Sequence, residues 1–163
     1  MGKWLVSKGL SIKKILLPVD GSKPSEKAAE YAIYIAKTMK ARIVAIHVMS
    51  TPVYAFATTP IESMPAPTAI PIPLTVSSEE RRVAESYLER VERMGKAAGV
   101  AIEIRIVENQ QSVVHAITEF AEKGCFDLIV MGTKGRTGIT KFLLGSVASG
   151  VLTYAPCPVL VVR

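Results

Sequence analysis

"LIVMGTKGRTGITKFLLGSVASG", residues Leu128 to Gly150, changes character twice within one short stretch. Leu128 to Met131 is an unbroken apolar run, the composition of a strand buried on both faces rather than one that alternates between core and water. Glycines at 132, 135 and 138 then interrupt it, interleaved with hydroxyls and with Lys134, Arg136 and Lys141. From Gly145 and Ser146 the sequence becomes apolar again at a length and spacing that predict a helix to about Tyr154. A fully buried strand feeding a helix through a glycine-rich loop is the unit from which parallel α/β sheets are built.

Working outward, the same unit recurs. "KKILLPVD", Lys13 to Asp20, predicts a first strand, closed by Asp20 and Gly21. Ser22 is placed to cap a helix and Pro24 suits its first turn, with Ala28, Ala32, Ile35 and Met39 at helical spacing as far as about Lys40. "RIVAIHVM", Arg42 to Met49, is the second strand. A second helix is expected from about Ser78, capped by Ser77 or Ser78, with Glu79 and Glu80 at the positive end of its dipole. Its stripe is Val83, Tyr87, Val91, Met94 and Ala98, and Gly99 stops it. "VAIEIRIV", Val100 to Val107, is a third strand whose outward Glu103 and Arg105 mark an exposed or edge position. A third helix over about Gln111 to Lys123 leads to the fourth strand, Phe126 to Gly132, and "CPVLVVR", Cys157 to Arg163, is the fifth.

Between Ser50 and Ser77 no period survives, and six of the ten prolines fall there. A segment of this length reads as a long loop, too apolar to be fully solvated, and is assigned to a flap or a dimer contact. The expected architecture is therefore one domain, residues 12–163, after a short tail at 1–11: a doubly wound, three-layer α/β/α sandwich around a five-stranded parallel sheet. Ligands of such sheets lie beyond the C-terminal ends of the strands where winding reverses, here the ends of the first and fourth.

Composition narrows the function classes. Hydrophobic residues make up 49% and charged residues 21%, and no apolar stretch is long enough to span a bilayer. The N-terminal "MGKWLVSKGLSIKK" lacks a sustained apolar core and a cleavage site, and Val6 stands where a myristoylation signal needs Ser or Thr, so the cytoplasm is expected. Cys125 and Cys157 are in no metal-ligand spacing and read as small buried residues rather than a disulfide. The net charge of +6 favours anionic partners, but the basic residues are scattered and aromatics are only 6%, which argues against nucleic acid.

The glycines of the opening stretch point to an anion. Free amides at a helix N-terminus attract phosphate, and glycine admits the oxygens without a Cβ in the way. Ser146 adds a hydroxyl, and Lys134, Arg136 and Lys141 add charge. Neither G-x-x-x-x-G-K-[ST] nor G-x-G-x-x-G is present. What stands is Gly132, Gly135, then nine residues, then Gly145 and Ser146. That spacing, together with "LPVDGS" after the first strand and "HV" at the end of the second, resembles the universal stress protein family, specifically its ATP-binding branch.

The resemblance covers Lys13 to Arg163 and implies a Rossmann-like fold of the adenine nucleotide alpha hydrolase type, with strand order 3-2-1-4-5. It implies an adenine nucleotide, ATP or else AMP or ADP, with magnesium carried by the phosphates. Adenine and ribose contacts map onto Pro18, Val19, Asp20, Val48, Met131 and Gly132. Phosphate contacts map onto Gly135, Arg136, Gly145, Ser146 and Val147. Where family members often carry Ser or Thr two residues after Ser146, this chain has Ala148. The resemblance also implies a homodimer, and the unalternating apolar strand Pro158 to Val162 at a sheet edge calls for such pairing.

Simpler roles stand beside these. Asp20 caps a turn or contacts ligand, and its place over the crevice favours ligand. His47 reads as a packed strand residue and His115 as a surface or boundary one. From Met131 to Tyr154 there is no Asp, Glu, Gln or His to activate a nucleophile or hold magnesium, so no catalytic residue is assigned and slow or no turnover is expected. Two alternatives remain open here: a phosphate-transferring or ATP-hydrolysing enzyme, and a dimeric interaction module that binds no nucleotide.

Overall fold

The computed structural model describes residues 11–50, 55–58, 69–72, 78–109, 111–133 and 144–163. Strand β1, Lys14–Pro18, lies at the centre of a sheet, and its Ile15, Leu16 and Leu17 are fully buried, each side chain stabilising the fold by about 1.5–3 kcal/mol. Parallel neighbours flank it: β2, Arg42–Ser50, in register Lys14 with Arg42, and β6, Leu128–Gly132, in register Ile15 with Leu128. Outside these run β5, Ile102–Asn109, and β7, Val159–Val162, giving the order β5-β2-β1-β6-β7. Counting those five strands alone, this is the expected 3-2-1-4-5.

Helices cover both faces. Helix α1, Lys23–Met39, and α2, Ser78–Ala98, pack on one face over Ile15, Leu17, Ile43 and Val130. Helices α3, Val113–Lys123, and α4, Ser146–Tyr154, pack on the other over Leu16, Val44, Ile46, Ile129 and Met131. The Ser22 side chain caps α1 by accepting from the Ser25 amide at 3.2 Å, and Ser112 caps α3 by accepting from the His115 amide. The buried face of α1 is Ala28, Ala29, Ala32, Ile33 and Ala36, so its stripe is rotated from the one read in the sequence, and Ile35 and Met39 lie at its margin. Alanines let this helix approach the sheet closely. Among the described residues no helix is long and apolar enough to cross a membrane.

Two expectations are corrected. Within the proline-rich stretch, β3, Ala55–Thr58, and β4, Ala69–Ile72, form an antiparallel pair, Phe56 opposite Pro71. In a two-stranded ribbon both strands are edges, which is where a proline is tolerated and where four residues are too few to announce a period. Residues 51–54, 59–68 and 73–77, on which the flap or contact role also rests, lie outside the described residues. Cys125 is exposed rather than buried, at a left-handed φ of 49° just past the end of α3. Cys157 is half-buried, and burial followed by the nearby Asp127 charge raises its thiol pKa.

At the N-terminal ends of the central strands, Asp127 Oδ2 accepts from the backbone amides of Lys13 and Lys14 at 2.8 and 2.9 Å, tying β1 to β6 before their ladder begins. Replacing it with alanine leaves both amides to water. Asp127→Ala should lower unfolding stability by about 1–2 kcal/mol in urea titration, and an unchanged midpoint would reject the clamp.

Candidate functional site

The site begins where β1 leaves the sheet. The last rung to β2 is the Val19 amide donating to Ile46 O at 2.8 Å. Asp20 Oδ1 then accepts from both the amide and the hydroxyl of Ser22, at 3.0 and 2.6 Å, which turns the chain into α1. Gly21 takes a φ of +77°, and a Cβ there would lie 2.4 Å from the Tyr87 ring. Only glycine satisfies both conditions.

β2 continues past this point to Ser50, still paired with β5. In a parallel strand, backbone groups of alternate residues face opposite neighbours. Ile46 faces β1, so Val48 does too, but β1 has already turned away. The next rung, from the Val48 amide to the Val19 carbonyl, is not formed among the described residues. That carbonyl instead accepts from His47 Nδ1 at 2.7 Å, which assigns the ring proton to Nδ1. The imidazole is braced by Tyr87, ring centroids 5.8 Å apart.

The opposite wall comes from β6. Gly132 was read as admitting a ligand, but a Cβ on it would stand 2.8 Å from the Pro24 carbonyl carbon and 2.9 Å from the Ser25 nitrogen. What approaches this glycine is the first turn of α1. The Thr133 amide donates to Val162 O, and the Gly145 amide donates to Thr133 O, both at 2.8 Å, which holds Gly145 against the end of β6. Gly145 is the N-cap of α4 and offers no side chain to its amides. The first intrahelical bond is Ser149 to Gly145 O at 2.9 Å, so the amides of Ser146, Val147 and Ala148 precede it. The amide of Gly145, expected to face phosphate, is already engaged.

Between these walls lies a crevice of about 260 Å³. Pro18, Val19, Asp20, Val48, Met131, Gly132, Gly145, Ser146 and Val147 all line it, so nine of the residues singled out from sequence come together. Gly135 and Arg136 lie outside the described residues. Sequence reasoning missed Ser25, Ile46, His47, Val113, Ile117 and Thr133, which with Ala148 complete the described lining. Val113 and Ile117 stand one helical turn apart on α3, a spacing that reads as core; their dual role has no separate sequence signal. Asp20 and His47 are the only ionisable side chains in the described lining. No three His, Cys, Asp or Glu side chains gather to hold a metal among the described residues. One end of the crevice thus presents an unpaired backbone edge between apolar walls, and the other presents helix amides suited to an anion.

Comparison with known proteins identifies the family and the fold. The model of the universal stress protein family matches residues 11–163. A universal stress protein of Methanocaldococcus jannaschii is 41% identical over 151 residues, which cover 93% of this chain and 82% of the relative. A solved universal stress protein in complex with cAMP superposes with a TM-score of 0.66 at 26% identity, covering 94% of this chain and 98% of its own. The Archaeoglobus fulgidus universal stress protein in complex with dAMP has a TM-score of 0.67 at 18% identity, covering 94% and 99%, and shares the fold.

Because Gly132 is a contact between β6 and α1, Gly132→Ala should cost about 1–3 kcal/mol of stability in ligand-free protein, measured by urea unfolding. Full stability in that variant would return Gly132 to a purely ligand-facing role.

Proposed function

This chain belongs to the universal stress protein family, and from that premise we propose that it is a cytoplasmic, adenine-nucleotide-binding regulator, taking ATP, or AMP or ADP, with slow or no turnover. The observation that carries the reading is the pairing, across one apolar crevice, of the open backbone edge at Val48 with the amides that begin α4. An adenine base is flat, apolar on its faces, and carries a donor and an acceptor in its plane. Val48 offers the complementary in-plane acceptor and donor, with Val19, Met131 and Ile117 as walls. A relative of the same fold at 26% identity is in complex with cAMP, which supports this class of ligand.

In this reading Asp20 meets the ribose hydroxyls. Its Oδ1 is already held by Ser22, so the carboxylate is fixed before ligand arrives. Phosphate lies against the Ser146 and Val147 amides and the Ser146 hydroxyl, at the positive end of the α4 dipole. Gly135 and Arg136, between Thr133 and Gly145 in the sequence, are assigned to the same phosphates. Ala148 supplies an amide but no hydroxyl. Magnesium, if carried, arrives on the phosphates and compensates their charge.

Low turnover follows from the lining. Phosphoryl transfer needs a group that orients or deprotonates a nucleophile beside the phosphate. Asp20 and His47 sit at the β1 and β2 ends of the crevice, and each already has a hydrogen bond that holds it in place. A nucleotide held without rapid hydrolysis acts as a state signal. We assign the readout to a homodimer formed through β7, whose Val159, Leu160 and Val161 are half-buried at an edge of the sheet.

Two measurements test this. Denaturing freshly purified protein should release an adenine nucleotide identifiable by mass spectrometry, and the stripped protein should bind Mg-ATP in calorimetry with micromolar affinity. Ser146→Asp should raise that Kd at least about tenfold while leaving urea stability unchanged or slightly higher, because a carboxylate favours a helix start but repels phosphate. No nucleotide and no binding heat would reject the reading. Separately, light scattering at micromolar concentration should return twice the chain mass; the mass of a single chain would reject the dimer.

A further inference from the structure

We propose that His47 is a positioning residue that keeps the β1–β2 ladder from closing and so holds the Val48 backbone edge open for the base. The inference rests on the nucleotide reading of the crevice. Three observations carry it. First, the Val19 amide donates to Ile46 O at 2.8 Å, so β1 and β2 are still in ladder register at the last residue before the turn. By that register the Val48 amide is the natural donor to the Val19 carbonyl. Second, the carbonyl takes the His47 ring at 2.7 Å instead, a side chain standing in for a backbone rung. Third, the ring is fixed from outside. Tyr87 of α2 lies 5.8 Å from it, centroid to centroid, and the same phenol ring fills the space over Gly21 that a Cβ would need.

A backbone amide and carbonyl at the end of a central strand ordinarily find a partner, because leaving them unpaired in an apolar crevice is unfavourable. Were the imidazole absent, the Val19 carbonyl and Val48 amide would satisfy one another and extend the ladder by one rung. The base would then have to break that rung to bind. His47 removes the competition by satisfying the carbonyl alone, which leaves the Val48 edge as an unmet demand that a ligand fulfils. Specificity follows from the same arrangement. The edge selects a ring with an in-plane donor and acceptor, and penalises one that lacks them.

The test uses His47→Phe, which keeps an aromatic ring against Tyr87 but cannot donate, and His47→Asn, whose amide nitrogen reaches the position of Nδ1. Amide hydrogen exchange at Val48 is followed by NMR in stripped protein, and AMP affinity by calorimetry. In the wild type Val48 should exchange fast and slow down on adding AMP. In His47→Phe it should already be slow without AMP, and the Kd for AMP should rise about tenfold, the scale of one hydrogen bond. His47→Asn should restore both. If His47→Phe fails to fold, His47→Leu carries the same comparison. Unchanged exchange and unchanged AMP affinity in a folded donor-less variant would overturn the inference. If the wild type itself binds no AMP, the nucleotide reading falls, and Val48 exchange alone decides the role of His47: protection in the donor-less variant upholds it, and equal rates overturn it.

Discussion

A strand buried on both faces has no water with which to satisfy its backbone, so every amide and carbonyl along it must meet a neighbouring strand. β1 is under that constraint at Ile15, Leu16 and Leu17, fully buried between two helical layers. Its ladder to β6 spans Ile15 and Leu16, and its ladder to β2 runs on to the Val19 amide before β1 turns away at Asp20. Polar backbone that the core would not tolerate is therefore concentrated at one edge. Winding also reverses there, with α1 and α4 leaving the sheet toward opposite faces. The crevice is a by-product of ending a strand buried on both faces.

The glycines around this edge divide by what they admit. Gly21 and Gly132 make room for parts of the protein itself, the Tyr87 ring and the first turn of α1. They bring α1, α2, β1 and β6 into contact at the crevice, so the walls are held by packing rather than by the ligand. Gly145 is different in kind. It begins α4 without contributing a side chain to the helix amides, which leaves them for something external. The chain's positive charge contributes little to the described lining, where Asp20 and His47 are the ionisable groups. What the described lining offers a ligand is mainly backbone dipoles.

Much of this was legible in the sequence, for a physical reason. Unalternating apolar runs such as "ILLP" and "LIVM" admit few environments besides a buried parallel strand, and Ser22 and Gly145 mark helix starts by chemistry local to themselves. The strand order and nine of the lining residues came instead from the family resemblance that the glycine spacing carries. What was not legible depends on contacts distant in sequence. Gly132 could not be separated from a ligand-facing glycine without knowing that Pro24 lies against it. His47 looked like a packed strand residue, and it does pack; its hydrogen bond to Val19 spans 28 positions and leaves no local mark. The β3–β4 ribbon escaped because its strands are four residues long, one of them with a proline inside, and carry no period. Cys125 was read by its type, whereas its exposure follows from the turn that ends α3.

The bond from the Gly145 amide to the Thr133 carbonyl has an evolutionary consequence. It ties the chain at Thr133 to the chain at Gly145, so both ends of the intervening stretch are held at a fixed point beside the sheet. The entropy of closing a ring grows only with the logarithm of its length, about 0.6 kcal/mol for each doubling. Residues can be exchanged or added inside it with little effect on β6 or on the start of α4. A change of sequence between those two points can thus alter that end of the crevice while the end at Val48 keeps its geometry. One invariant fold would then answer to many different signals.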